Sequence, residues 1–284
     1  MIVLSKIAEV RNALRQVRRA DKRIGFVPTM GYLHEGHLQL VKTAREQCDY
    51  VVMSIFVNPL QFGPNEDFQR YPRDLERDRR RAEAAGVDLL FAPAVEEMYP
   101  DKVLTRVTVA QVSEPLCGRT RPGHFDGVAT VVTKLFQIVQ PDAAFFGQKD
   151  AQQLAVIQQV VKDLSIPVEI VPCPTVREPD GLAMSSRNVY LSPEERTQAT
   201  VLYRSLQLAR RLLAAGERRA SAIRAEMVRL IEAEPLARIE YVEVVHFPQL
   251  TEATTLAAGD QLLIAVAVRF GQTRLIDNLI IKLD

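Results

Sequence analysis

Two histidines spaced three residues apart, His34 and His37, are the residues whose type and spacing point most directly to chemistry. They flank Gly36 at the predicted start of a helix that follows an apolar, strand-like run over 24–28. A helix N-terminus presents unpaired N–H groups and a positive dipole end, which suit phosphate. Two imidazoles on one helical turn can donate hydrogen bonds to a phosphate that gains negative charge. The alternatives are a histidine cap with a packing histidine, and a metal site, which no nearby cysteine or third histidine supports.

Two further cations occupy positions that favour phosphate binding. Lys149 comes shortly after a predicted strand and Gly147, at the predicted start of a helix. The helix dipole disfavours a lysine at that end, so a merely solvated lysine is a weaker explanation. Arg187 ends the run Met-Ser-Ser-Arg in a non-periodic stretch over 177–192 that is rich in Pro, Gly, Ser and Asn. Hydroxyls, main-chain N–H groups and a guanidinium can surround a phosphate, and the alternative is a linker with a surface arginine. The serines of this run lack a local histidine partner, so a hydrolase triad is not indicated.

The order of predicted elements decides where these residues meet. Apolar runs over 24–28, 50–57, 87–91, 143–146 and 168–171 predict buried strands. Helices are predicted from a Ser5 N-cap onward, over 37–48, from Pro72 to Gly86, and over 126–139 and 149–164. Strands that alternate with helices predict a Rossmann-like, doubly wound parallel sheet, whose ligands lie at the carboxyl ends of the strands.

The composition changes near residue 176. Beyond it come a capped helix beginning at Ser192, a helix near 219–233, and β-rich runs over 239–246 and 262–268. We therefore predict a Rossmann-like domain over 1–175 and a smaller α+β domain over 176–284. A phosphate-binding loop at such a boundary would let the smaller domain close over the site and exclude water.

Charge and composition exclude several classes of protein. The 284 residues hold 36 Lys and Arg against 35 Asp and Glu, which leaves no surplus for nucleic-acid binding. An apolar content of 47% at a net charge of +1 excludes a disordered chain. Three scattered cysteines, the lack of an apolar signal core and the lack of a run long enough for a membrane span predict a soluble, cytoplasmic protein.

Five short motifs follow one another along both predicted domains. They are Pro-Thr-Met-Gly-Tyr-Leu-His-Glu-Gly-His37, Asn58-Pro-Leu-Gln-Phe62, Arg121-Pro-Gly-His-Phe-Asp-Gly127, Phe146-Gly-Gln-Lys-Asp150 with Gln152-Gln153, and Ala183-Met-Ser-Ser-Arg-Asn188. Five motifs in order are far more specific than any one alone. Together they resemble the pantoate–β-alanine ligase family, within the nucleotidyltransferase superfamily that carries an H-x-G-H signature.

The resemblance implies a two-step reaction, which uses ATP with Mg²⁺ to join pantoate to β-alanine through a pantoyl adenylate. It implies catalytic roles for His34, His37, Lys149 and Arg187 and a homodimer formed through the larger domain. The ATP-binding residues that it implies are Met30, Gly31, Tyr32, Leu33, His34, Glu35, Gly36, His37, Gly147, Gln148, Lys149, Asp150, Val176, Met184, Ser185, Ser186 and Arg187.

For pantoate and β-alanine the resemblance implies Asn58, Gln61 and Gln153. Neutral amides can bind hydroxyls without adding a competing nucleophile, although Asn58 is equally explained as a cap before a proline. Asp78 is a candidate ligand of Mg²⁺, and its alternative is an aspartate on a helix surface. Glu35 is equally explained as a solvent-exposed residue. Asp150 is equally explained as a helix cap.

Three other functions are compatible with parts of this pattern. A cytidylyl- or adenylyltransferase would need extra basic groups for a phosphorylated acceptor, and the two glutamines argue against one. A non-catalytic nucleotide-binding module would not need both histidines together with Lys149 and Arg187. A tRNA-charging enzyme is disfavoured by the neutral charge and the lack of an anticodon-binding region.

Overall fold

The structure is a computed structural model that describes residues 1–64 and 66–284. The strands are β1 Ile2–Leu4, β2 Ile24–Thr29, β3 Tyr50–Ile55, β4 Leu89–Phe91, β5 Ala143–Gly147, β6 Glu169–Cys173, β7 Ala237–His246, β8 Gln261–Phe270 and β9 Thr273–Lys282. The helices are α1 Ile7–Arg19, α2 Glu35–Gln47, α3 Leu75–Ala84, α4 Val95–Met98, α5 Cys117–Thr120, α6 His124–Val139, α7 Ala151–Asp163, α8 Pro193–Gln198, α9 Val201–Ala214 and α10 Ala220–Glu232. Turns of 3₁₀ helix cover Pro59–Gln61, Gln148–Asp150 and Ser186–Tyr190.

A parallel sheet in the order β1-β4-β3-β2-β5-β6 organises the first part of the chain. The predicted Rossmann-like fold is therefore confirmed, and β1 is an additional edge strand that the sequence pattern did not reveal. The order reverses between β2 and β5, which is the switch point where such sheets bind ligands. Register pairs Thr29 with Ile55, so β2 and β3 end side by side and their loops leave from one edge.

Helices cover both faces of this sheet because alternate residues of a strand point to opposite sides. On one face, Val27 and Met53 belong to a buried cluster with Leu40 and Val41 of α2. On the other face, the Phe26 ring meets the Phe136 ring of α6 edge-on, with 6.4 Å between the ring centroids. Burial on both sides explains why β2 and β3 read as nearly continuous apolar runs.

Several predicted helix starts are displaced by one to three residues, and two of these corrections have a clear physical cause. Helix α1 has Lys6 rather than Ser5 as its N-cap, and the distant Glu97 carboxylate accepts the Ile7 N–H at 2.9 Å. Helix α3 begins at Leu75 rather than at Pro72, because the Asp74 side chain accepts the Arg77 N–H at 3.0 Å and caps it.

The later part of the chain forms a three-stranded antiparallel sheet in the order β7-β8-β9. Strand β9 was not predicted, although its ten residues pair along the whole of β8. Helices α9 and α10 bury their apolar faces against the sheet, with Leu206 and Ile223 in one core with Ile264 and Val266. This sheet and its helices form the predicted smaller α+β part.

Contacts within the chain define two compact units. The first comprises residues 1–109, 121–148 and 156–174, and the second comprises 110–120, 149–155 and 175–284. The predicted domains at 1–175 and 176–284, and the closure of the smaller one, stay predictions. In residues 1–64 and 66–284 every helix is too short or too polar to cross a bilayer.

Candidate active site

The loop that leaves β2 has a backbone shaped by one glycine and one buried carboxylate. Gly31 has a φ of +85°, and a Cβ there would lie 2.8 Å from the Ile55 side chain, so only glycine fits. The next two main-chain N–H groups, of Tyr32 and Leu33, donate to the two oxygens of Asp78 at 2.6 and 2.7 Å. Asp78 therefore fixes the path of the chain into the histidine motif.

The surroundings of Asp78 do not fit a magnesium ligand. Its side chain is only 1% exposed, which also rules out a residue on the helix surface. Burial raises the pKa of Asp78, while the N–H groups of Leu33 and Tyr32 and the charge of Arg77 oppose that rise. Both oxygens are committed to the loop. Among the described residues, His, Cys, Asp and Glu nowhere form a group of three or more that could hold a metal.

The two histidines form a reciprocal cap at the start of α2. His34 is the N-cap, and its Nδ1 accepts the Gly36 N–H at 3.1 Å. The Nδ1 of His37 accepts the main-chain N–H of His34 at 3.3 Å. The two rings lie with centroids 4.0 Å apart. The capping alternative is therefore correct for His34, and the same contacts bring the two imidazoles together.

This cap determines where each ring carries its proton. A nitrogen that accepts an N–H must hold a lone pair, so both neutral rings carry hydrogen on Nε2. Each ring then has its N–H donor on Nε2, and both rings lie at the N-terminus of α2. A pair of preorganised donors at a helix N-terminus is suited to a growing negative charge.

The loop after β3 holds the candidate substrate amides of this unit. Asn58 is 1% exposed, and its Oδ1 accepts the Leu60 N–H at 3.3 Å, as the capping alternative predicts. Its Nδ2 donates to Gln61 Oε1 and to the Gly127 carbonyl, each at 3.1 Å. Gln61 Nε2 in turn contacts Met30 Sδ at 3.1 Å. These contacts join the loops after β2 and β3, and Asn58 orients the Gln61 amide.

The Arg121–Gly127 motif holds the same loop from the side of α6. A Cβ on Gly127 would lie 2.3 Å from the Leu60 carbonyl oxygen, so the close approach requires glycine. The His124 Nδ1 lies 2.8 Å from the Gln61 carbonyl, and its Nε2 lies 3.0 Å from Arg121 Nη1. Since the carbonyl only accepts and the guanidinium only donates, His124 carries its proton on Nδ1.

Arg121 also pairs with Glu66 in a two-point ion pair at 2.6 and 2.7 Å. Burial by itself would raise the pKa of Glu66, but the hydrogen bonds and charge of Arg121 and the Gly63 N–H lower it to about 2. A carboxylate whose pKa falls on folding stabilises the folded state above its unfolded pKa, and that contribution is lost as the pH falls toward the folded value.

We expect Glu66→Gln to weaken the dependence of stability on acid pH. Between pH 6 and pH 3 the wild-type chain should lose about 2 kcal/mol of unfolding free energy that the variant does not lose, given the lowered Glu66 pKa. Urea unfolding at several pH values measures this difference. Glu96→Gln, at an exposed helix position, is the matched control. Equal acid dependence in Glu66→Gln and the wild type would contradict the role assigned to the pair.

The second unit contains the other predicted phosphate-binding residues. Lys149 lies in the 3₁₀ turn Gln148–Asp150 that follows β5, with its side chain 20% exposed and Nζ 3.9 Å from Asp150 Oδ2. Gln153 is half-buried on α7. Its neighbour Gln152 is structural, since it accepts the Cys117 N–H at 2.9 Å and donates to the Pro115 carbonyl at 2.7 Å.

The Met-Ser-Ser-Arg loop follows a short hairpin-like turn. Val176 accepts the Met184 N–H at 3.0 Å, which closes the turn directly before the loop. Ser185 caps the next 3₁₀ turn by accepting the Arg187 N–H at 3.3 Å. Ser186 is buried, whereas Met184 and Arg187 are half-buried. The structure thus gives Val176 and Ser185 a part in shaping the loop.

Sequence reasoning gave Asp78 a different role and did not single out Glu66, although both residues hold the site rather than form it. Asp78 lies 46 positions from Tyr32, and Glu66 lies 55 positions from Arg121. No local pattern indicates such partners.

The sheet, its switch point and the histidine-capped helix define a class of protein. They are typical of α/β nucleotidyltransferases with an H-x-G-H motif at the carboxyl edge of a parallel sheet. Comparison with known proteins narrows that class.

The family model for pantoate-beta-alanine ligase matches residues 2–280. A pantothenate synthetase from Geobacillus kaustophilus is 60% identical over 283 residues, which cover 100% of this chain and 94% of that protein. The crystal structure of pantothenate synthetase from Thermus thermophilus is similar with a TM-score of 0.92 and 52% identity, covering 98% of this chain and 99% of the other. The chain therefore belongs to the pantoate–β-alanine ligase family of enzymes.

A further solved relative informs on ligands. The Francisella tularensis pantoate-beta-alanine ligase is 35% identical, with a TM-score of 0.80, and the match covers 99% of this chain and 97% of the other. That structure is described as complexed with beta-gamma ATP and beta-alanine.

Proposed function

We propose that this chain condenses pantoate with β-alanine at the expense of ATP, and yields pantothenate, AMP and pyrophosphate through a pantoyl adenylate. The observation that carries the proposal is the reciprocal histidine cap at the start of α2, next to the sheet switch point. Two Nε2 donors at a helix N-terminus are suited to stabilise a reacting phosphate. The names and ligands of the relatives support the same substrates.

In the first step, a pantoate carboxylate oxygen forms a bond to the α-phosphorus of ATP, and the bond to the oxygen that bridges to the β-phosphorus breaks. Pyrophosphate leaves with the electron pair. Both reactants are anions, so the barrier comes mainly from repulsion and from charge that grows on the α-phosphate. Hydrogen bonds from His34 and His37 would stabilise that charge more in the transition state than in the ground state.

In the second step, the β-alanine amine attacks the acyl carbon and AMP leaves as the C–O bond breaks. The nitrogen loses its proton as the amide forms. The intermediate is a mixed anhydride, so no nucleophilic side chain is required. This agrees with the fact that the motifs contain hydrogen-bond donors and cations rather than a triad.

We assign Lys149 and Arg187 to the phosphates, with Ser185 and Ser186 as hydroxyl donors beside them. A guanidinium binds phosphate oxygens at two points, and an ammonium acts as a compact positive charge. In the ATP site we also include Gly147, Gln148, Asp150, Val176 and Met184 and the loop residues 30–37. Magnesium would arrive with the triphosphate, where phosphate oxygens suit it, rather than on Asp78.

For pantoate we propose Gln61 and Gln153, with Asn58 orienting Gln61. A glutamine amide has two donor hydrogens and two acceptor lone pairs. Gln61 therefore retains hydrogen-bonding capacity beyond its contacts with Met30 and Asn58. A homodimer through the larger domain and a cytoplasmic location remain part of the proposal.

Exchange of labelled pyrophosphate into ATP tests this function. The first step is reversible, so the purified protein with Mg²⁺ should exchange label only when pantoate is present. β-Alanine should divert the intermediate to pantothenate and AMP. Exchange that does not require pantoate, or no exchange with every component present, would refute the proposal. Lactate in place of pantoate is a control for a general hydroxy-acid effect.

A further inference from the structure

Two consecutive residues of β9, Asp277 and Asn278, make the contacts from which this inference starts. Neither was predicted, because β9 itself was missed. Asp277 has a side chain that is 1% exposed and pairs with Arg177 at two points, 2.6 and 3.0 Å. The Asn278 Nδ2 donates to the Lys149 carbonyl at 2.7 Å. One edge strand therefore holds both the approach to the Met-Ser-Ser-Arg loop and the turn that bears Lys149.

On the Arg177 side of this arrangement, several contacts hold the chain. Arg177 also donates to the Gly181 carbonyl at 3.0 Å. Its main chain pairs in antiparallel fashion with Ala183, the residue directly before Met184. Its guanidinium lies 4.5 Å from the centre of the Tyr203 ring. Gly181 has a φ of +94°, and a Cβ there would lie 2.0 Å from Tyr203, so the turn fits against α9 only with glycine. The Asp277–Arg177 pair thus clamps the chain that leads into residues 184–187.

Lys149 is linked to β9 in two ways, through a hydrogen bond to its main chain and through the charge of its side chain. The Asn278 hydrogen bond fixes the main chain from which the Lys149 side chain starts. Burial raises the pKa of Asp277, and Arg177, the Asn278 N–H and the positive charge of Lys149 oppose that rise. The Asp277 carboxylate therefore lies in the field of two cations from two different segments.

We propose that Asp277 and Asn278 are positioning residues that hold Lys149 and the loop 184–187 as one preorganised set of phosphate-binding groups. The inference rests on the proposed function, in that Lys149 and Arg187 are assigned to ATP. If the two segments were loose, ordering their main chain on ATP binding would cost conformational entropy. Anchoring the main chain of both segments to one strand lowers that cost and keeps the spacing of the two cations matched to a triphosphate.

Asn278→Leu is the decisive variant, because it removes the donor to Lys149 without adding a charge near the phosphates. We expect the Kd for ATP, measured by calorimetry, and the KM for ATP in pyrophosphate exchange to rise about tenfold, as for a lost partly buried hydrogen bond. The KM for pantoate should change by less than about twofold, because those groups are held elsewhere. Asn12→Leu, on the exposed face of α1, is the matched control.

Asp277→Asn tests the other anchor with a readout that needs no ATP. The amide keeps the shape but leaves the Arg177 charge without its partner, so the loop should loosen. Trypsin should then cleave after Arg187 about tenfold faster than in the wild type, with Asp163→Asn as an exposed control. Asn278→Ser, which restores a donor, should recover part of the ATP affinity lost in Asn278→Leu.

The outcomes separate the two proposals. If the wild type shows no pantoate-dependent exchange, the proposed function fails, whereas the ATP and trypsin differences still test the anchors. If Asn278→Leu binds ATP as Asn12→Leu does, or raises both KM values equally with an unchanged thermal midpoint, the inference is overturned. If Asn278→Leu does not fold, the trypsin rate of Asp277→Asn decides, and a wild-type rate overturns the inference.

Discussion

Replacing His37 by asparagine is expected to slow pantoyl-adenylate formation by about 10²–10³-fold while leaving the fold intact. The asparagine Oδ1 can take the place of the imidazole Nδ1 and accept the His34 N–H, which the wild-type ring accepts at 3.3 Å. It has no group at the position of Nε2. The variant therefore keeps the cap and removes the donor that we assign to the α-phosphate.

The measurement is pantoate-dependent pyrophosphate exchange at saturating ATP, with thermal unfolding as the check on the cap. ATP affinity should change little, because the donor acts mainly on charge that develops in the transition state. His246→Asn, at the end of β7, makes the same chemical change away from the histidine pair. Turnover near that of the wild type would show that His37 serves only as a cap.

Asp78→Asn is expected to lower both stability and activity. One of the two loop N–H groups, which donate at 2.6 and 2.7 Å, would face an amide NH₂ instead of an acceptor. A buried N–H left without an acceptor, together with the loss of a charged acceptor, costs about 3 kcal/mol of unfolding free energy. Since His34 follows Leu33 directly, the displaced loop should also carry the histidines out of place and reduce adenylation.

This variant also separates the two roles considered for Asp78. A loop anchor predicts a loss of stability in urea unfolding with neither ATP nor magnesium present, and no rescue of activity by excess magnesium. If Asp78 were a magnesium ligand, stability without ATP and magnesium should stay unchanged, and excess magnesium should rescue activity. Asp101→Asn, at an exposed position, controls for the change of charge. Unchanged unfolding free energy would contradict the anchor.

Local patterns were sufficient for five of the six strands of the parallel sheet and for the histidine motif. The apolar runs of β2 and β3 are buried on both faces, and strands of that kind are readable from composition alone. The histidine cap is equally local, because all its hydrogen bonds join residues within His34–His37. The resemblance of five ordered motifs rested on the same short-range information.

Prediction failed where a contact joins residues far apart in the chain. Serine is a typical N-cap residue, yet the N-cap of α1 is Lys6 rather than Ser5, and Glu97 accepts the Ile7 N–H. From sequence, Asp78 is a candidate magnesium ligand or a helix-surface residue, and its role as a loop anchor emerges only when the fold places the Tyr32 and Leu33 N–H groups against it. Asn278 gains its partner Lys149 across 129 positions of sequence.

The sequence by itself determined which chemistry is present: two histidines at a helix start, a lysine after a strand, a serine–arginine loop and neutral amides, on an alternating α/β frame. It did so because helix capping, strand burial and motif spacing are properties of a few adjacent residues. Only the tertiary structure decided what holds those groups in place, namely Asp78, Arg121 with Glu66, and Asp277 with Asn278. A buried polar group must find its partner wherever the fold places one, and that partner leaves no mark on the local sequence.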